Sequence, residues 1–352
     1  MNNETTTFTS PVDVSNNDEP SLIPRVASLG ERIFVTWVEQ GVGQLQDEVF
    51  FAKSEDGGLT FTQPINISKT SGGISNDSEV PDITAFGDNV YIVWEEGNLD
   101  FGSKIFFSKS IDGGDTFSEP ISLIDLEETT NGFTPTITVD EDGNLHVAYH
   151  SITSEFFPPN IDFIVYIKSI DEGETFSDPL PLSNTGGLHL TPRIATSGDS
   201  IYVTWHESNG PAFQEIFFAK SDNEGLTFDT AVNISNTIDQ STFPDIAAFG
   251  DNVYVVWTEG VIGNREIVIV QSNDRGEIFT SPPINITSNP DFLNPAIDAN
   301  EEGIFVVWWG SENQDEPEIF FSRSDDGINF SNPPINISNN EGPSQVPDID
   351  IS

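Results

Sequence analysis

Ser54-Glu-Asp56-Gly-Gly58-Leu-Thr60-Phe61 decides the fold, because five close copies of it follow. They read Ser110-Ile-Asp112-Gly-Gly114-Asp-Thr116-Phe117, Ser169-Ile-Asp171-Glu-Gly173-Glu-Thr175-Phe176 and Ser221-Asp-Asn223-Glu-Gly225-Leu-Thr227-Phe228. The last two are Ser272-Asn-Asp274-Arg-Gly276-Glu-Ile-Phe279 and, one residue shorter, Ser324-Asp-Asp326-Gly327-Ile-Asn-Phe330. Their leading serines lie 56, 59, 52, 51 and 52 residues apart. A period of about 50 residues marks a propeller or a solenoid.

Around each turn the chain offers four strand candidates. Strand a follows a proline (Pro24-Arg-Val-Ala, Pro81-Asp-Ile-Thr, Pro135-Thr-Ile-Thr, Pro192-Arg-Ile-Ala, Pro244-Asp-Ile-Ala, Pro295-Ala-Ile-Asp), where no ladder hydrogen bond is lost. Strand b is β-branched and aromatic on both faces, as in Asn89-Val-Tyr-Ile-Val-Trp94 and Asn252-Val-Tyr-Val-Val-Trp257, a pattern of two-sided burial. Strand c reads like Glu48-Val-Phe-Phe or Glu318-Ile-Phe-Phe, and strand d like Pro64-Ile-Asn-Ile67. Six such units predict an all-β, six-bladed propeller of four-stranded antiparallel blades forming one domain over residues 1–352. The repeats run 24–80, 81–134, 135–191, 192–243, 244–294 and 295–346, flanked by strand-like pieces at 8–17 and 347–352. Phe8 to Ser15 resembles a strand d and Pro347-Asp-Ile-Asp-Ile-Ser352 a strand a. The expectation is that these pieces close the ring, one of them redundant or opening a further blade, rather than building a seventh blade by themselves.

Composition narrows the function classes. The 352 residues hold 58 Asp plus Glu against 12 Lys plus Arg, a formal net charge of -46. Such a surface repels nucleic acids and anionic headgroups, so binding to DNA, RNA or a membrane surface is not expected; no apolar stretch approaches the length of a membrane span, so membrane insertion is not expected either. It suits salty water or a cell exterior. The chain is therefore read as secreted or surface-displayed, although no signal peptide opens it. With no cysteine, thiolate and disulfide chemistry are excluded. A monomer is favoured.

In the recurring turn the Ser hydroxyl and Asp carboxylate can bond local backbone, the glycine supplies positive φ, and the Phe packs into the blade. This constellation resembles the Asp box, or BNR repeat, of sialidases and related propellers. The resemblance covers essentially the whole chain. It implies the fold and a structural role for Ser54, Asp56, Gly58, Ser110, Asp112, Gly114, Ser169, Asp171, Gly173, Ser221, Asn223, Gly225, Ser272, Asp274, Gly276, Ser324, Asp326 and Gly327. It also places any site on the face away from the boxes, around the mouth of the axis. A sialidase would need three arginines gripping a carboxylate, a tyrosine nucleophile with a glutamate partner, and an aspartate acid/base. Only Arg25 and Arg193, in strand a of the first and fourth blades, are placed to face each other across that mouth. Tyr91, Tyr202 and Tyr254 share one repeated strand-b position, which marks packing.

Three further features bear on the mouth. His150, His189 and His206 fall on one face in one sector, near Arg193 and Glu207; they are candidates for ligand contact, with plain surface exposure as the alternative. A recurrent Trp-x-Glu (Trp37/Glu39, Trp94/Glu96, Trp205/Glu207, Trp257/Glu259) rings the same face with carboxylates that either hold a cation such as Ca²⁺ or stand as solvated strand ends. Phe156-Phe157-Pro158-Pro159 would make an apolar patch beside them. Asp140-Glu-Asp142-Gly143-Asn144 lacks a calcium-loop frame and reads as an ordinary turn.

Together these features predict a non-catalytic recognition scaffold that binds a glycan, protein or cation around Arg25, Arg193, His150, His189, His206 and Glu207. A sialidase-like exo-glycosidase and an assembly module of a larger surface protein are the alternatives.

Overall fold

A computed structural model describes residues 8–351 apart from 18, 42–45, 70–76, 99–101, 125–129, 154–160, 184–186, 209–213, 288–290, 312–315 and 339–342. It contains six four-stranded antiparallel sheets, each made from consecutive strands. The first blade takes Ser21–Leu29, Arg32–Glu39, Glu48–Ser54 and Ile65–Asn66; the fourth takes Leu188–Ser197, Ser200–Ser208, Gln214–Ser221 and Val232–Asn233. The six-bladed, all-β architecture read from the repeats is the one observed.

Within every blade the first strand lines the axis, and the second and third fill the space between neighbouring sheets. Burial of the second strand on both faces is why it carries no polar alternation. Val90, Tyr91, Ile92, Val93 and Trp94 are all fully buried, and Trp205, Trp257 and Trp308 match Trp94. Each such side chain contributes about 1.5–3 kcal/mol by leaving water.

The recurring turn repeats one bonding scheme. Ser110 Oγ donates to Asp112 Oδ1 at 2.7 Å and accepts the Gly114 N–H at 2.8 Å. Asp112 in turn accepts the Thr116 N–H at 2.9 Å and the Thr116 hydroxyl at 2.6 Å. Asn223 keeps this scheme with its amide, and the shortened sixth turn closes Gly327 N–H onto Ser324 Oγ. Gly225 shows why the glycine is required: its φ is +74°, and a Cβ there would lie 2.0 Å from the Tyr166 hydroxyl of the preceding blade. The turn's Phe packs edge-on against the preceding blade's third strand, Phe117 on Phe51 at 4.8 Å and Phe228 on Tyr166 at 4.9 Å.

The C-terminal piece bridges blade six and blade one, and the N-terminal piece meets blade six. Phe8 meets Phe321 of blade six edge-on at 5.0 Å, the contact that Phe117, Phe176, Phe228 and Phe279 make with their preceding blades. At the axis Asp82 accepts the Ile137 N–H of the next blade at 2.8 Å, and Asp245 accepts Ile297 N–H at 2.9 Å. Asp298 accepts Ile351 N–H at 2.8 Å in the same way, and Asp348 accepts Val26 N–H at 2.7 Å. Residues 347–351 are thus a seventh inner segment, bonded on one side to blade six and on the other to blade one. A left-handed residue precedes the proline of all seven: Ile23, Val80, Thr134, Thr191, Phe243, Asn294 and Val346. At the axis, residues 347–351 thus join blade six to blade one.

Candidate functional site

Four of the left-handed residues, Thr191, Phe243, Asn294 and Val346, border the axial mouth, and Arg25 and Arg193 stand just inside it. Both line a cavity of about 50 Å³ together with Thr191, Phe243, Asn294 and Asp348. Each guanidinium is held alike: Arg25 Nη1 donates to the Pro24 carbonyl at 3.0 Å and Arg193 Nη1 to the Pro192 carbonyl at 2.9 Å. Their Nε atoms lie 3.9 Å and 3.7 Å from the Asp82 and Asp245 carboxylates of the following blades. Arg25 and Arg193 thus border one cavity at the axis. Below them a wider channel of about 220 Å³ runs between the inner strands.

Electrostatics at the mouth are unusual for so acidic a chain. Burial, and then the like charge of Arg25, press the Arg193 guanidinium below its ordinary value. Burial also pushes Asp245 up, against the pull of Arg193, and pushes Asp348 up to about 7 against the pull of Arg25. Two guanidiniums thus share a small cavity with the carboxyl groups of Asp245 and Asp348. An anion entering between them would relieve the repulsion and gain charge-assisted hydrogen bonds.

The four other expected residues also come together, but behind the wall of the mouth rather than on it. His150, His189 and His206 are 3%, 0% and 3% exposed and Glu207 is 1%, which corrects both the ligand-contact and the surface-exposure readings. Asp162 Oδ1 lies 3.0 Å from both His150 Nε2 and His189 Nδ1, and His189 Nε2 lies 3.3 Å from Glu207 Oε2. The set ties the second and third strands of blade three to the first and second strands of blade four. Burial disfavours the His189 imidazolium, yet the two carboxylates outweigh it and push its pKa up to about 9. Asp162 is buried too, but His150 and His189 hold it down to about 2. His206 is the reverse case: burial and the nearby His150 press it down to about 4, so it is neutral and hydrogen-bonds the Thr191 hydroxyl at 2.8 Å. Its ring meets Phe243 edge-on at 5.9 Å. Thr191 and Phe243 both line the mouth, so the buried cluster supports the wall that a ligand would touch.

The carboxylate ring is corrected as well. Glu39, Glu96 and Glu259 accept the indole N–H of Trp37, Trp94 and Trp257 at 3.0, 3.5 and 2.7 Å. They are neither solvated strand ends nor a converging cation cage, and among the described residues no group of three His, Asp or Glu is arranged to hold a metal. Asp140 folds onto the Asp142 and Asn144 N–H groups and His146, an ordinary turn as expected. Phe156 to Pro159 lie outside the described residues.

Sialidase-type chemistry finds no support in the side chains. Tyr91, Tyr149, Tyr166 and Tyr202 are at most 2% exposed, and Tyr254 packs into the blade-six core. No third arginine joins the mouth: Arg32 and Arg275 pair with Asp88 and Asp222, Arg265 with Asp291, and Arg323 with Asp325.

Sequence reasoning missed Asp162, Thr191, Phe243 and Asp348. The signal for Asp162 was a break in the repeat. By strand register Phe163 replaces the glutamates Glu48 and Glu215 of other blades, and Ser151 replaces Glu39 and Glu207.

No family model matches the sequence, and no curated protein matches it. Solved structures do match in fold. A protein of unknown function from Dyadobacter fermentans DSM 18053 aligns with a TM-score of 0.63 at 14% identity, over 86% of this chain and 94% of that one. A polysaccharide lyase of family PL25, an ulvan lyase bound to -[GlcA(1-4)Rha3S]-, aligns at 0.60 and 11%, over 91% and 85%. A Trypanosoma rangeli sialidase in complex with the inhibitor DANA aligns at 0.57 and 12%, over 87% of this chain and 55% of that one. The chain thus spans about half the length of that sialidase. At these identities the likeness is one of fold.

Proposed function

We propose that the protein is a non-catalytic carbohydrate-recognising propeller that takes an acidic saccharide at its axial mouth. The observation that carries this is the pair Arg25 and Arg193, two cations converging on one small cavity in a chain of net charge -46. The cavity has room for a carboxylate or sulfate group, while the sugar ring stays outside against Phe243, which is 38% exposed. Thr191 and Asn294 supply polar contacts at the rim. Fold relatives that act on or bind acidic sugars, including the lyase complexed with GlcA and Rha3S units, favour a saccharide over a peptide.

The burial of the tyrosines and the two-arginine mouth support recognition over sialidase-type hydrolysis. The test is a glycan array of uronate-bearing, sulfated and neutral oligosaccharides, read with and without calcium. Acidic glycans should bind independently of calcium, and Arg193→Gln should weaken them at least about tenfold, the loss of one charge-assisted fork. Equal binding of neutral glycans, or glycan turnover that depends on Arg193, would overturn the proposal.

A further inference from the structure

The axis holds more carboxyls than cations. Asp82, Asp245, Asp298, Asp348 and Asp350 line the channel against the two guanidiniums of Arg25 and Arg193, and of the five only Asp245 and Asp348 also border the small cavity at the mouth. These carboxyls differ in what they face. Asp82 and Asp245 are set against Arg25 and Arg193 at 3.9 and 3.7 Å. Asp348 makes no ion pair among the described residues. Its Oδ2 accepts the Val26 N–H at 2.7 Å, which leaves Oδ1 to carry a proton. An anion entering between the arginines adds negative charge beside Asp348, and a neighbouring like charge favours the protonated carboxyl.

We propose that Asp348 is the third anchor of the acidic group at the mouth: it takes a proton from solvent as the anion enters and donates it from Oδ1 to an oxygen of that anion. The inference rests on the acidic-saccharide reading of this mouth. One proton passes from water to Asp348 and no other covalent bond changes. Burial, with Asp82 and Asp245 beside it, already pushes Asp348 up to about 7 against the pull of Arg25 and of the Val26 N–H. The charged groups that face it are therefore Arg25 of blade one, Asp82 of blade two, Arg193 of blade four and Asp245 of blade five. Blade three offers only the Thr136 and Thr138 side chains to the channel, and blade six borders the cavity with the uncharged Asn294, Pro295 and Ala296. Asp298 and Asp350 line the channel without reaching the cavity. Affinity should thus be complete below about pH 7 and fall as pH rises through it, because the proton must then be taken up on binding.

Calorimetric titration of the full chain with a glucuronate-terminated oligosaccharide, in buffers of different ionisation enthalpy, counts that proton. About half a proton or more should be taken up per glycan at pH 8 and close to none at pH 5.5, with binding at least about fivefold weaker at pH 8. Asp348→Asn keeps an acceptor for the Val26 N–H and should bind equally at both pH values with no uptake. Asp298→Asn, which leaves the cavity intact, should keep the uptake of the parent. The parent's proton count decides even where a variant does not fold. Binding without uptake at pH 8, uptake that survives Asp348→Asn, or uptake abolished by Asp298→Asn would overturn the proposal. Absence of acidic-glycan binding at either pH would overturn the saccharide reading, and this proposal with it.

Discussion

His189 stands where blades one and five carry Ser21 and Ser241, and the exchange takes Glu207 away from Trp205. In blade five Glu259 accepts both the Ser241 hydroxyl and the Trp257 indole N–H, each at 2.7 Å. In blade four Glu207 lies 3.3 Å from His189 Nε2, and Trp205 Nε1 has no hydrogen-bond partner among the described residues. One substitution within a repeat has turned a local polar triad into a charged tie between two blades.

His189→Leu should therefore destabilise the fold by about 3–5 kcal/mol, because Asp162 and Glu207 lose the cation buried with them. His189→Ser should cost less, since it restores the arrangement of blade five and returns Glu207 to Trp205. Denaturant unfolding ranks the two variants. Tryptophan fluorescence checks the second, because a restored indole hydrogen bond changes the emission of a buried ring. Equal losses for Leu and Ser would show that the charge is not what matters.

The same tie fixes an alkaline limb to the stability profile. With a pKa raised to about 9, His189 contributes stability that is complete below its ordinary value of 6.5 and lost as pH rises through about 9. Asp162 works in the other direction: its contribution is present above about 3.8 and lost as pH falls through about 2. The turn carboxylates Asp56, Asp112 and Asp171, held to about 2 by their Thr and Ser hydrogen bonds, share that acid limb. Thermal melts across pH should flatten on the alkaline side in His189→Leu and keep the part of the acid limb that the turn carboxylates supply.

The axial closure responds to pH with opposite sense from an ordinary carboxylate. Burial, and then Asp350, push Asp298 up to about 7, so its contribution is complete below about 3.8 and lost as pH rises through about 7. Asp298→Asn keeps an acceptor for the Ile351 N–H without the charge. It should be more stable than the parent at pH 8 by on the order of 1–2 kcal/mol, less than the full shift implies because Asp350 titrates beside it. Melting curves at pH 5 and pH 8 measure the difference, which should shrink at the lower pH and close only below about pH 3.8.

Gly225→Ala tests the recurring turn where it is tightest. The new Cβ would meet the Tyr166 hydroxyl at a left-handed residue, and the cost should be about 1–3 kcal/mol or more. Gly57→Ala, where φ is +68° but nothing lies within 4 Å, carries only the backbone strain and should cost less. Paired urea melts separate the two contributions.

The fold was legible because repetition reports it six times over, and so any one blade can lose a residue without hiding the pattern. Asn223 and the shortened turn at Asp326 show this directly. The mouth was legible only at Arg25 and Arg193, whose place after the strand-a proline puts them on the axis. The histidines were found as a group but not as buried residues, since their partner Asp162 comes from another strand and sequence spacing is silent about it. Likewise the Trp-x-Glu spacing puts both side chains on one face, yet only coordinates reveal that they bond each other. The terminal pieces were identified by sequence, but their joint placement depends on contacts between the two ends of the chain, such as Val26 with Asp348.

The most direct measurement is a crystal structure of the chain soaked with a glucuronate-terminated oligosaccharide. The sugar carboxylate should lie between Arg25 and Arg193, within hydrogen-bond distance of both guanidiniums, with the ring against Phe243. Density for the saccharide anywhere else, or a cleaved product at the mouth, would contradict the account.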